Sequence, residues 1–212
     1  KNVSLPWDET EALSVKFSLP LWITQLLANQ YGRETLEKIL AYFRKRRDYD
    51  IRINLELTDH SSYKGLLEKA AVTFTEWPDG WEGAFRIRGH HSPASLPGYE
   101  EGLFFNQDLG AQVAASLLLP AEGSLLDVGS APGGKLMFLA PFLDMKDVEA
   151  LDISPQRIGR LSENLKRLRI PLPLLTTRDF LKFEPGRLYQ RIFLDVPCSG
   201  LGVLAKKGDI AY

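Results

Sequence analysis

Cysteine is nearly absent: Cys198 is the single one in 212 residues. No intrachain disulfide can form, which removes disulfide-stapled scaffolds and points to a reducing compartment. Long apolar runs are missing too. None approaches the ~20 residues that a membrane helix needs, so no membrane partner is expected. The net charge is only −1, and no overall excess of one sign announces a nucleic acid or a lipid surface. Lys1-Asn2-Val3-Ser4-Leu5-Pro6 does not resemble a signal peptide. A cytoplasmic protein is expected, or a mitochondrial or nucleolar one in a eukaryote. There is no internal repeat and no low-complexity tract. What is present suffices for a core: 44% of residues are hydrophobic and 25% charged, as in an ordinary globular chain of one large or two small domains.

The pattern changes character near residue 100. Residues 18–47 read as helical, with Ser18 as a cap, Pro20 in the first turn, a break at Gly32, and Arg44-Lys45-Arg46-Arg47 at the end. Residues 51–57 alternate apolar and polar, as a half-buried strand does. A helix over 61–71 and strands over 72–77 and 84–88 come next, the two strands joined by a turn at Pro78-Asp79-Gly80. This predicts a small α+β region within 1–100. Residues 89–107 read as a linker that packs on the next domain. From Asp108 strands and helices alternate regularly. Helices are predicted at 108–118, 134–143 and 155–168, and strands at 124–128, 148–152, 173–176 and 191–195. That alternation predicts an α/β domain over 101–212, with a parallel sheet covered by helices on both faces.

Asp127-Val128-Gly129-Ser130-Ala131-Pro132-Gly133-Gly134-Lys135 joins the first strand of that domain to its helix. Strand, glycine-rich turn and helix make a site for a nucleotide-like ligand, because small residues let the backbone approach closely and a helix start presents unpaired N–H groups. Gly129 to Lys135 fits a phosphate loop, but that loop requires Ser or Thr next, and Leu136 stands there. The magnesium ligand of an NTPase is therefore missing, no metal site is expected, and the strict dinucleotide pattern is not met either. Neutral small residues suit a nucleoside without a triphosphate, such as S-adenosylmethionine. Asp152, Asp179 and Asp195 follow successive strands and can converge on the same ligand. One such Asp alone would read as a helix cap or turn residue. Cys198 lies in Asp195-Val196-Pro197-Cys198-Ser199-Gly200, a loop position that suits a reactive thiol better than a structural one.

Together these stretches resemble the NOL1/NOP2/Sun family of RNA cytosine-C5 methyltransferases, most closely its bacterial ribosomal-RNA members. The matching residues are Asp127 to Lys135, Asp152-Ile153-Ser154-Pro155-Gln156-Arg157 and Asp195 to Gly202. Leu96 to Gly102, Asn106-Gln107-Asp108 and Ile51-Arg52-Ile53-Asn54 are similar to the family's approach segment and RNA-binding subdomain. The resemblance implies a Rossmann-like S-adenosylmethionine-dependent methyltransferase domain preceded by an RNA-binding region. It implies that Gly129, Ser130, Ala131, Pro132, Gly133, Gly134 and Lys135 cradle the cofactor, that Asp152 holds the ribose, and that Asp179 meets the adenine. Asp195 and Cys198 would be catalytic. The implied partner is RNA, ribosomal before transfer RNA, with ribosomal assembly intermediates as further partners.

Two departures stand beside the match. The family's attacking cysteine lies in a Thr-Cys motif after a further strand. This chain stops at Tyr212, so it reads as a piece of a longer protein in which the last strands are missing. Alternatively Cys198 itself attacks. Lys206-Lys207-Gly208-Asp209-Ile210 also replaces the family's Arg-Arg-His-Pro-Asp/Glu-Ile. The rival reading is an inactive relative that binds RNA or assists ribosome assembly. For Arg44 to Arg47 and for Arg157, Arg160, Lys166, Arg167 and Arg169, phosphate binding and a solvated face are equally open.

Overall fold

The computed structural model describes residues 9–44, 48–77, 81–89 and 92–196. The described residues fall into two compact units, 9–44 and 48–196. In the first, helices α1 (Glu9–Phe17), α2 (Leu21–Tyr31) and α3 (Arg33–Arg44) close on Leu13, Leu36 and Leu40. Helix α1 is not predicted by periodicity, because Leu13, Val15 and Phe17 recur at a spacing of two. The expected capping by Ser18 is corrected: Ser18 turns the chain with φ +52°, and Pro20 stands at the N-cap of α2. Gly32 separates α2 from α3, as its position in the pattern predicts. The side chains of Arg44 to Arg47 lie outside the described residues, as does the turn at 78–80.

The second unit opens with an antiparallel sheet of β1 (Tyr49–Ile53), β2 (Phe74–Glu76), β3 (Ala84–Ile87) and β4 (Phe104–Asn106), in the order β2-β3-β1-β4. Helix α4 (His60–Lys69) lies on it, capped by Asp59, whose carboxylate accepts the Ser62 N–H at 2.9 Å. Tyr63 and Leu67 of α4 pack against Ile51, Ile53, Phe85, Ile87 and Phe104. Two expectations are corrected here. The strand expected to reach residue 57 ends at Ile53, because Asn54 Oδ1 takes the Glu56 N–H at 3.2 Å and turns the chain. The expected linker over 89–107 holds β4, which pairs with β1 and so carries the small sheet past residue 100.

Four parallel strands complete the unit: β5 (Leu125–Val128), β6 (Val148–Asp152), β7 (Leu174–Thr177) and β8 (Arg191–Leu194), in the order β7-β6-β5-β8. They alternate with α5 (Leu109–Ser116), α6 (Gly134–Leu139) and α7 (Pro155–Arg167). Ser154 caps α7 and Pro155 starts it, while Lys166 and Arg167 suit its negative C-terminal end. Leu161 and Leu165 from α7 and Leu136 to Leu139 from α6 fill the core with Leu125, Val148 and Ala150. The two sheets of this unit are joined by polar contacts. Asn54 Nδ2 donates to Leu168 O at 2.8 Å, Arg167 Nη1 to Phe104 O at 3.1 Å, and Leu109 N–H to Asp50 Oδ2 at 3.1 Å. Among the described residues no helix is long and apolar enough to cross a membrane.

Candidate active site

The chain leaves β5 toward β6 and β7 on one side and returns to β8 on the other. The crevice opens at the carboxyl ends of β5 and β8, where that order reverses, and ligands of open parallel sheets bind in such a place. Gly129 turns there with φ +74°, and a Cβ on it would lie 2.5 Å from Asp195 O. Only glycine lets the loop pass so close to the end of β8. The N–H groups of Gly129 and Ser130 both donate to Leu151 O, at 2.8 and 3.1 Å, which fixes the loop to β6. Gly133 takes φ +104° just before α6.

A cleft of ≈ 180 Å³ results, lined by Gln107, Asp127, Gly129 to Pro132, Gly134, Lys135 and Asp195 among others. Lys135 Nζ and the Asp195 carboxylate form an ion pair across its rim. Asp127 is the buried member. Its Oδ2 accepts the Ser130 hydroxyl at 2.6 Å, and burial pushes its carboxyl up to about 6, against the opposing pull of that hydrogen bond and of Lys135. Leu136 is fully buried in the core, so the residue standing where an NTPase needs a magnesium ligand does not face the cleft.

Asp152 lies beneath the loop and does not line the cleft. It is 2% exposed; Oδ1 takes the Ser154 N–H at 3.0 Å, and Oδ2 has no hydrogen bond. Arg157 Nη2 stands 3.4 Å from that oxygen as an ion-pair partner without hydrogen-bond alignment, and donates to Ala131 O. Asp179 is also away from the cleft and accepts the Leu181 N–H at 3.0 Å, capping a short 3-10 turn. Pro197 and Cys198 lie outside the described residues. Arg157 and Arg167, counted among the phosphate-binding candidates, serve the fold: Arg167 Nη1 also reaches Tyr99 O at 2.6 Å and stacks on the Tyr99 ring. Sequence reasoning left out Asp127 and Gln107 as site residues. Asp127 had a signal, a carboxylate inside the apolar run Leu125 to Val128; Gln107 had none beyond its place in the Asn106-Gln107-Asp108 motif.

A glycine loop after the first strand of a parallel sheet, with carboxylates at the ends of its neighbours, places the domain in the class of Rossmann-like folds. Residues 115–212 match the model of the 16S rRNA methyltransferase RsmB/F family. The chain is similar to ribosomal RNA small subunit methyltransferase B of Vibrio vulnificus, with 32% identity over 93% of this chain and 46% of that protein. The counterpart from Salmonella dublin is 32% identical over 97% and 48%. The chain thus spans about half the length of the curated relatives it matches. Among solved structures, NSun6 from Pyrococcus horikoshii with SFG shares the fold at a TM-score of 0.78 and 22% identity, over 86% of this chain and 71% of that one.

Proposed function

We propose that the full-length protein transfers a methyl group from S-adenosylmethionine to C5 of a cytosine in ribosomal RNA, and that the cleft at the ends of β5 and β8 is its active site. The observation that carries this is the glycine loop at the switch point of the parallel sheet, with Asp127, a buried carboxyl of the same cleft held up to about 6, and Asp195 at the rim. Asp152 stands behind the loop, and its carboxylate accepts a ribose hydroxyl once it turns from Arg157 toward the cleft. The residues present therefore fit the group. When bound, S-adenosylmethionine supplies an electrophilic methyl group on a sulfonium.

The chain's own residues then have separable tasks. Asp152 takes the ribose, Lys135 holds Asp195 at the rim, and Asp195 faces the incoming base. Cytosine C5 is a poor nucleophile until a thiolate adds at C6; loss of the C5 proton and expulsion of the thiol restore the aromatic ring. In the family this chain resembles, the Pro-Cys cysteine, here Cys198, assists release. The base must leave its stack to reach the cleft, and the small sheet is the candidate RNA-binding surface. The names of the bacterial relatives favour ribosomal over transfer RNA as substrate, and with it a cytoplasmic site of action.

S-adenosylmethionine should raise the melting temperature of the full-length protein, and Asp152→Ala should abolish the rise. An unshifted wild-type transition at saturating ligand would sink the cofactor assignment. Cys198→Ala should trap a covalent RNA adduct, visible as a shifted band on a denaturing gel. Loss of methylation without an adduct would instead make Cys198 the nucleophile. The replacement of the His-Pro pair by Lys207-Gly208 favours a second reading, a binding-only ribosome assembly factor. That reading requires cofactor binding or RNA binding with no methyl transfer, which bisulfite sequencing of the RNA from cells lacking the protein would detect.

A further inference from the structure

Gln107 is 5% exposed, lies on the wall of the cleft, and its side-chain Nε2 and Oε1 both lack a hydrogen-bond partner. Its backbone is fully engaged. The N–H donates to Asp50 O at 3.1 Å, and the carbonyl accepts from Gln112 Nε2 at 3.0 Å. The residue is thus held by its main chain while its amide is left unsatisfied at both ends. Two buried, unpaired polar atoms on one side chain are costly, and such groups in a native fold call for a partner. The amide lies against the glycine loop: a Cβ on Gly134 would be 3.9 Å from Gln107 Nε2.

We infer that Gln107 hydrogen-bonds the amino-acid end of the methyl donor, Nε2 donating to its α-carboxylate and Oε1 accepting from its α-ammonium. This rests on the reading that the cleft takes S-adenosylmethionine. An amide offers a donor and an acceptor side by side, and a zwitterionic amino acid is the complement of that pair. The edge of a cytosine is also a donor–acceptor pair, but depth separates the two. The base arrives over the rim, where the Asp195 side chain is about half exposed, while Gln107 is buried at the level of the glycine loop. Gln107 is therefore a specificity residue for the aminocarboxypropyl portion of the donor.

The test is calorimetric titration of the full-length protein with S-adenosylhomocysteine and with 5′-methylthioadenosine, which lacks the amino-acid end. In Gln107→Leu, affinity for the first should fall roughly tenfold to a hundredfold, the loss expected for hydrogen bonds to charged groups. Affinity for the second should be unchanged. The ligand-free melting temperature should hold or rise, since an unpaired amide has been removed, whereas a merely structural residue would lower it. Gln107→Met, of nearly the same length, repeats the test if the leucine variant does not fold. Equal weakening of both ligands, or of neither, would overturn the assignment. If wild-type protein binds neither compound, the cofactor reading has failed and the assignment of Gln107 falls with it.

Discussion

Asp127 shows how far one residue departs from the character of its neighbours. Leu125, Leu126 and Val128 make an apolar strand, and the carboxylate between them is buried with a single hydroxyl donor. Its pKa is pushed from 3.8 up to about 6 by loss of hydration. The folded protein therefore keeps a proton that the unfolded chain has already released between those two values. Stability must fall as pH rises through that window, by up to about 3 kcal/mol from this group, and stay level above it. Asp127→Asn keeps an acceptor for Ser130 and removes the titration. On going from about pH 4 to about pH 6.5 the urea midpoint should change more favourably in Asp127→Asn than in wild type. An equal difference would remove Asp127 as the cause.

At the scale of elements, the ends carry most of the information that periodicity missed. Alternation over 51–57 predicts one long strand, yet Asn54 ends it after Ile53. Its amide also reaches Gly102 O at 3.3 Å and Leu168 O at 2.8 Å, tying β1 to the approach segment and to the end of α7. Asn54→Ala leaves those buried carbonyls without a donor and should cost about 1–3 kcal/mol, read as a lower urea midpoint with an unchanged slope. No loss would mean that the Asn54 amide contributes nothing to holding the two sheets together. Arg52, whose guanidinium stacks 4.3 Å from the Phe138 ring, is a second such tie. Neither contact is visible in sequence, because each joins residues far apart in the chain.

Across the whole molecule, the legible features were the local ones. The glycine loop, the start of α7 at residue 155 and the alternation of β5 to β8 with helices each occupy a few consecutive residues, and each is in the fold where the pattern places it. Helix α1 and strand β4 were not legible, since their apolar residues find partners only in the assembled unit. The site divides the same way: loop, Lys135 and Asp195 meet as their positions imply, while Asp152 and Asp179 stand back from the cleft for reasons of side-chain pairing. The attachment of Gln107 to Asp50 has a consequence for binding order. One wall of the cleft hangs from β1, so a ligand that moved the small sheet would move that wall and change the affinity of the cleft. By thermodynamic reciprocity a ligand in the cleft would then alter the affinity of the small sheet for its own ligand by the same factor.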